Sequence, residues 1–95
     1  MEGQASISAD ILARYAGDAA LEVEGVRELA GRRGAKVTGE NGAVQVELHL
    51  VVEWGASIPE VGRAVQVRVR EYLGSMADVS PATVDVIVDE IGPAS

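Results

Sequence analysis

Val44-Gln45-Val46-Glu47-Leu48-His49-Leu50-Val51-Val52-Glu53-Trp54 sets an apolar side chain on every even position and mostly polar ones on the odd positions. Strand side chains alternate between two faces, so this stretch is a strand with one buried side. It runs into Gly55-Ala56-Ser57-Ile58-Pro59-Glu60, where Ser57 and Glu60 stand at capping-box spacing and Pro59 falls in a first turn that does not need its N–H. A helix must start there. Ile58, Val61, Val65, Val69, Tyr72, Leu73 and Met76 continue it as a stripe at three- and four-residue spacing, and Gly74-Ser75 is expected to stop it. Past Ser80-Pro81, the run Thr83-Val84-Asp85-Val86-Ile87-Val88-Asp89 alternates again. A strand, helix and strand joined in this way usually form a right-handed parallel crossover.

Upstream, Ser8 reads as an N-cap with Asp10 in the first turn, and Ile7 and Leu12 are placed as a hydrophobic staple. The helix they begin runs to about Leu21. Its stripe of Ile11, Leu12, Tyr15, Ala16, Ala19, Ala20 and Val23 is rich in small residues, which with Gly17 suggests close approach to a sheet. Val26–Ala30 and Ala35–Thr38 read as two short strands separated by the turn Gly31-Arg32-Arg33-Gly34. Asn41-Gly42 is a strong hairpin signal, so the long strand returns antiparallel beside the second. The expected fold is α+β, a two-layer α/β sandwich in the order α-β-β-β-α-β. Its mixed sheet of about four strands carries both helices on one face and leaves the other uncovered.

Ninety-five residues make one domain, here 1–95 with a core over about 6–91, and leave no room for a second core. With no Phe, one Trp and two Tyr, that core must be small and aliphatic. The absence of cysteine excludes disulfide scaffolds, thiolate metal sites and thiol catalysis. Neither a signal peptide nor a membrane span is discernible, so a cytoplasmic protein with no direct membrane insertion is expected. A formal charge of −7 repels polyphosphate and argues against nucleic acid as the main partner.

Candidate chemistry is sparse. His49 is the sole histidine, and with carboxylates at Glu47 and Glu53 it can in principle hold a metal or shuttle a proton, but a solvated surface histidine is the commoner case. Asp85 and Asp89 lie about 13 Å apart along one strand face, too far to share an ion. Neither a phosphate-binding glycine loop nor a nucleophilic triad is present, so no catalytic, cofactor or metal site is expected, and the protein is read as non-enzymatic. Gly31-Arg32-Arg33-Gly34 is similar to the Gly-x-x-Gly clamp of RNA-binding K-homology domains, with Arg32 and Arg33 as the contacts. There the loop joins two helices, whereas here it separates two strands. The uncovered sheet face is the first candidate for partner binding, presenting Glu47, Val51, Asp85, Ile87, Asp89 and Ile91 as aliphatics among acids. Such a face would be complementary to the helix surface carrying Arg63, Arg68 and Arg70 on another copy, the alternative being two solvated faces.

Several segments together give the chain a family likeness across about residues 6–91. They are Ile7-Ser8, the run Ala16-Gly17-Asp18-Ala19-Ala20-Leu21-Glu22-Val23-Glu24-Gly25-Val26, the long strand ending in an aromatic-Gly pair, Ile58-Pro59-Glu60-Val61-Gly62 with Val65-Gln66, and Val84-Asp85-Val86-Ile87-Val88. In these the sequence resembles the alkaline shock protein family, the envelope stress response family of Gram-positive bacteria. The resemblance implies a non-enzymatic protein of cell-envelope homeostasis without catalytic residues or cofactor. It also implies a stress-response scaffold that forms homo-oligomers and is recruited to the inner face of the membrane by an anchored partner.

Overall fold

A computed structural model describes residues 7–39 and 43–93. The elements are α1 (Ala9–Leu21), β1 (Val26–Leu29), β2 (Ala35–Thr38), β3 (Gln45–Val52), α2 (Ile58–Ala77) and β4 (Thr83–Ile91). Both helices begin as their caps dictate. Ser8 Oγ accepts from the Ile11 N–H at 3.2 Å, and Ser57 Oγ accepts from the Glu60 N–H at 3.4 Å. Helix α2 does not stop at Gly74-Ser75. A glycine costs a helix only about 1 kcal/mol, and the chain continues to Ala77, where Asp78 turns left-handed (φ 56°) and donates its N–H to the Gly74 carbonyl.

β3 is the spine of the sheet. β4 lies parallel along one edge, from Gln45 opposite Thr83 to Val52 opposite Ile91. On the other edge β1 and β2 both run antiparallel to β3, β1 beside Leu50–Val52 and β2 beside Gln45–Leu48. They are therefore two halves of a single interrupted strand. Gly31-Arg32-Arg33-Gly34 does not reverse the chain; it is an excursion pinned at both ends to one residue. The Ala30 N–H donates to the His49 carbonyl and the His49 N–H to the Gly34 carbonyl, each at 2.8 Å. The Asn41-Gly42 signal lies outside the described residues.

Both helices cover the even-numbered face of β3. Val46, Leu48, Leu50 and Val52 are fully buried against Val65, Val69 and Leu73 of α2 and Ala16, Ala19 and Ala20 of α1. Burying each of the larger side chains contributes roughly 1.5–3 kcal/mol. Small residues let α1 settle close: a methyl added at Gly17 would lie 3.0 Å from Leu29 Cδ1 and 3.5 Å from Ala35 Cβ. Tyr15 meets Tyr72 edge to face, with ring centroids 5.9 Å apart, joining the helices to each other. Within the expected stripes, Ile11, Ile58 and Met76 are exposed; beside Ile11 and Met76 it is the next residue, Leu12 and Ala77, that turns to the core.

Candidate functional site

Among the described residues, no helix lies over the odd-numbered face of β3. The ladder sets Lys36 and Asp85 on either side of Glu47, and Thr38 and Thr83 on either side of Gln45. Both neighbours then lose register at the same level. β1 bulges between Val26 and Glu28, and the β4 pairing shifts between Leu50 and Val51. The second shift makes Glu90 the partner of Val51 and Ile91 the partner of Val52. Two expectations are corrected by this. Ile91 leaves the open face for the side of the core-facing Val52, where it is half exposed at the sheet end. Val51 stays on the open face but is buried (6% exposed), outside the helix-facing core and flanked by Glu28 and Glu90. Ile87 remains exposed as expected, opposite His49.

The bulge also brings Asp89 to His49. The imidazole is held from both sides: Nε2 is 2.8 Å from Glu47 Oε2, and Nδ1 is 3.0 Å from Asp89 Oδ1. A neutral imidazole has one N–H and can donate to only one carboxylate, so the arrangement favours the imidazolium. The His49 pKa is accordingly raised, first by the hydrogen bond to Glu47 and then by that to Asp89. Sequence pairing of His49 with Glu53 is not realised, because Glu53 faces Arg27 across 3.8 Å. Glu47 and Asp89 occupy opposite ring nitrogens and do not converge on a point. Among the described residues no group of three metal-capable side chains is assembled.

Six carboxylates thus populate the open face, namely Glu28, Glu47, Glu53, Asp85, Asp89 and Glu90, against Lys36 and the bulged Arg27. Arg32 and Arg33 stand on the outer margin of the sheet beside Asp10 and Ala13 of α1, in no ion pair among the described residues. They sit in a strand excursion, unlike the helix-joining clamp of a K-homology domain.

One feature escaped the sequence reading. At the end of β3, Trp54 is 65% exposed beside a cavity of about 550 Å³, formed where the end of α1 meets the start of α2. Its walls carry Glu24, Glu53 and Glu60. Only Trp54 itself, an aromatic ending an otherwise well-buried strand, gave a hint of it.

A two-layer α+β module with one helix-covered sheet face and one acidic open face is a class defined by shape and charge. The chain belongs to the alkaline shock protein 23 family, cell envelope-related function, which it matches over residues 1–93. It is 30% identical over 93 residues to the uncharacterized protein YqhY of Bacillus subtilis (strain 168), covering 82% of this chain and 69% of YqhY. It is 24% identical over 106 residues to the uncharacterized protein YloU of the same organism, covering 94% and 88%. Among solved structures, MamM CTD in a manganese form superposes with a TM-score of 0.65 at 17% identity, over 87% of this chain and 99% of that one. A cadmium form gives 0.66 at 17%, over 87% and 98%. At that identity the likeness is one of fold. No helix among the described residues is long and apolar enough to cross a membrane.

Proposed function

We propose that this protein is a non-enzymatic interaction module of cell-envelope homeostasis. It is a cytoplasmic stress-response scaffold that self-associates and is held at the inner face of the membrane by an anchored partner. The observation that carries the self-association is the open sheet face, where exposed Ile87 sits among Glu47, Asp85 and Asp89 with no element of the described residues above it. The sheet edges are a second route of assembly, which on the β4 side works against three acids and a register shift that oppose strand addition. The face itself is complementary to Arg32 and Arg33, exposed at the margin of the same sheet, so that one copy's acids meet the next copy's loop.

Ile87→Asp tests this by adding a carboxylate at the centre of the contact without touching the helix-facing core. The expected result is a smaller mean size by light scattering, at matched concentration and low salt, with an unchanged circular-dichroism spectrum. An unchanged size in a folded variant refutes the assignment of the face.

A further inference from the structure

The groove at the Trp54 end shares only Glu53 with the open face. The cavity beside Trp54 adjoins a second one of about 550 Å³ that continues along α2 past Val67 to Glu71, and the two share Val23, Glu24 and Ala64 as walls. From Ser57 to Glu71 the helix rises about 21 Å at ~1.5 Å per residue. That is the length of roughly six residues of extended chain at ~3.3 Å each. The floor is apolar, and Val67 along it is 56% exposed. One wall is fixed in place: Gly25 has φ +98°, and a methyl there would lie 2.7 Å from Val61 Cγ2, so the end of α1 is seated directly on α2.

Charge decides what such a groove accepts. The Trp54 cavity presents three carboxylates and no cation among its lining residues; Glu53 is paired with Arg27 across 3.8 Å, and Glu24 and Glu60 are in no ion pair among the described residues. The α2 N-terminus opposes them with only about half a positive charge. Farther along, Arg68 is paired with Glu22 and close to Glu71, and Arg63 lines the same stretch in no ion pair among the described residues, so it is the Trp54 end of the groove that is acidic. An exposed indole beside carboxylates is half of a cation–π site whose cation is missing.

We infer that the groove between the end of α1 and α2 binds an extended peptide segment of a partner protein, one that alternates Lys or Arg with apolar residues. A cation stacks on Trp54 and meets Glu24 and Glu60, while the apolar side chains lie along Val23, Ala64 and Val67. The Arg32–Arg33 loop of a second copy is a poor occupant, because both its ends are tied to His49 and its tip offers two residues to a groove about 21 Å long.

Trp54 is the only tryptophan, so its fluorescence reports the site directly. The probe is an acetylated, amidated hexapeptide of alternating arginine and leucine, titrated into the full-length chain. Binding is expected to shift Trp54 emission to the blue in a saturable way and to weaken as salt is raised. In Glu24→Gln/Glu60→Gln affinity falls about tenfold, as loss of two partly screened ion pairs requires. In Asp18→Asn/Asp78→Asn, which removes equal charge elsewhere, it holds. The inference is overturned by a non-saturable response or by equal weakening in both double variants. It is overturned equally by spermine matching the hexapeptide, or by an emission shift on concentrating the protein alone, which would assign the groove to a second copy. Ile87 and Trp54 lie on different surfaces, so a failed titration leaves the self-association test standing, and the converse holds.

Discussion

Replacing His49 by Gln removes the cation that Glu47 and Asp89 share while keeping a polar side chain of similar reach. In the folded protein the imidazole pKa is raised above the ordinary 6.5 by hydrogen bonds to Glu47 and then Asp89. A group bound more tightly in its protonated form stabilises the fold fully below its unfolded pKa, and that contribution is lost as pH rises through the folded value. The three side chains are 30%, 49% and 41% exposed, so solvent screens both contacts. Surface pairs of this kind contribute about 0.2–1 kcal/mol each, and the two together about 1 kcal/mol. For a domain of this size that corresponds to roughly 4–8 °C in Tm. Melting curves should therefore place the wild type about 5 °C above His49→Gln near pH 5.5, with the gap closing in alkaline buffer once the imidazole is neutral. A proton NMR titration of the imidazole should give a midpoint above 6.5 that falls in Glu47→Gln. Melting temperatures that differ by a constant amount across the whole pH range, or a midpoint at or below 6.5, would refute the shared imidazolium.

Two further substitutions test the core and a helix terminus. Leu73→Ala empties a fully buried site where α2 meets the sheet; it should cost about 3 kcal/mol in urea denaturation, and a loss under 1 kcal/mol would show that the helix packs loosely. Asp78→Gly relieves a left-handed backbone at the α2 terminus and should stabilise by about 0.5–1 kcal/mol at unchanged denaturant slope; destabilisation would mean that the Asp78 side chain itself caps the helix.

The layered fold was legible because its signals are local. Alternation from Val44 to Trp54, the Ser57–Glu60 cap and the α2 stripe each follow from the periodicity of one element. The order α-β-β-β-α-β, the mixed sheet and the placement of both helices on one side were all recovered from them. What escaped depends on pairing between strands. Nothing in Val26–Thr38 says that a Gly-Arg-Arg-Gly segment bulges out of one strand and does not reverse it; that follows from His49 bonding to both ends. Likewise, strict alternation along Thr83–Ile91 places Ile91 beside Ile87, and only the register shift at Leu50/Val51 moves it across the sheet. The same shift explains why Asp89, and not Glu53, is the second partner of His49. The Trp54 groove was missed for a related reason, since its walls come from α1, β3 and α2 and no single periodicity brings them together.

The sign of the open face restricts how copies can meet. Six carboxylates against Lys36 and Arg27 leave it negative even with His49 protonated. A twofold contact of two such faces would therefore set like charge against like. Within a Debye length of about 8 Å that repulsion is not screened away. A contact between the face of one copy and the Arg32–Arg33 margin of the next avoids the conflict, and it is heterologous: each copy keeps one face and one loop to offer. His49 then biases the balance. Its deprotonation leaves Glu47 and Asp89 uncompensated, so rising pH makes the face more acidic, which strengthens its pull on arginines while further excluding its own kind. Charge selects the sign of the partner, but an acidic surface attracts any cation; the discriminating contacts must come from the apolar side chains left exposed within each acidic surface, Ile87 on the sheet and Trp54 in the groove.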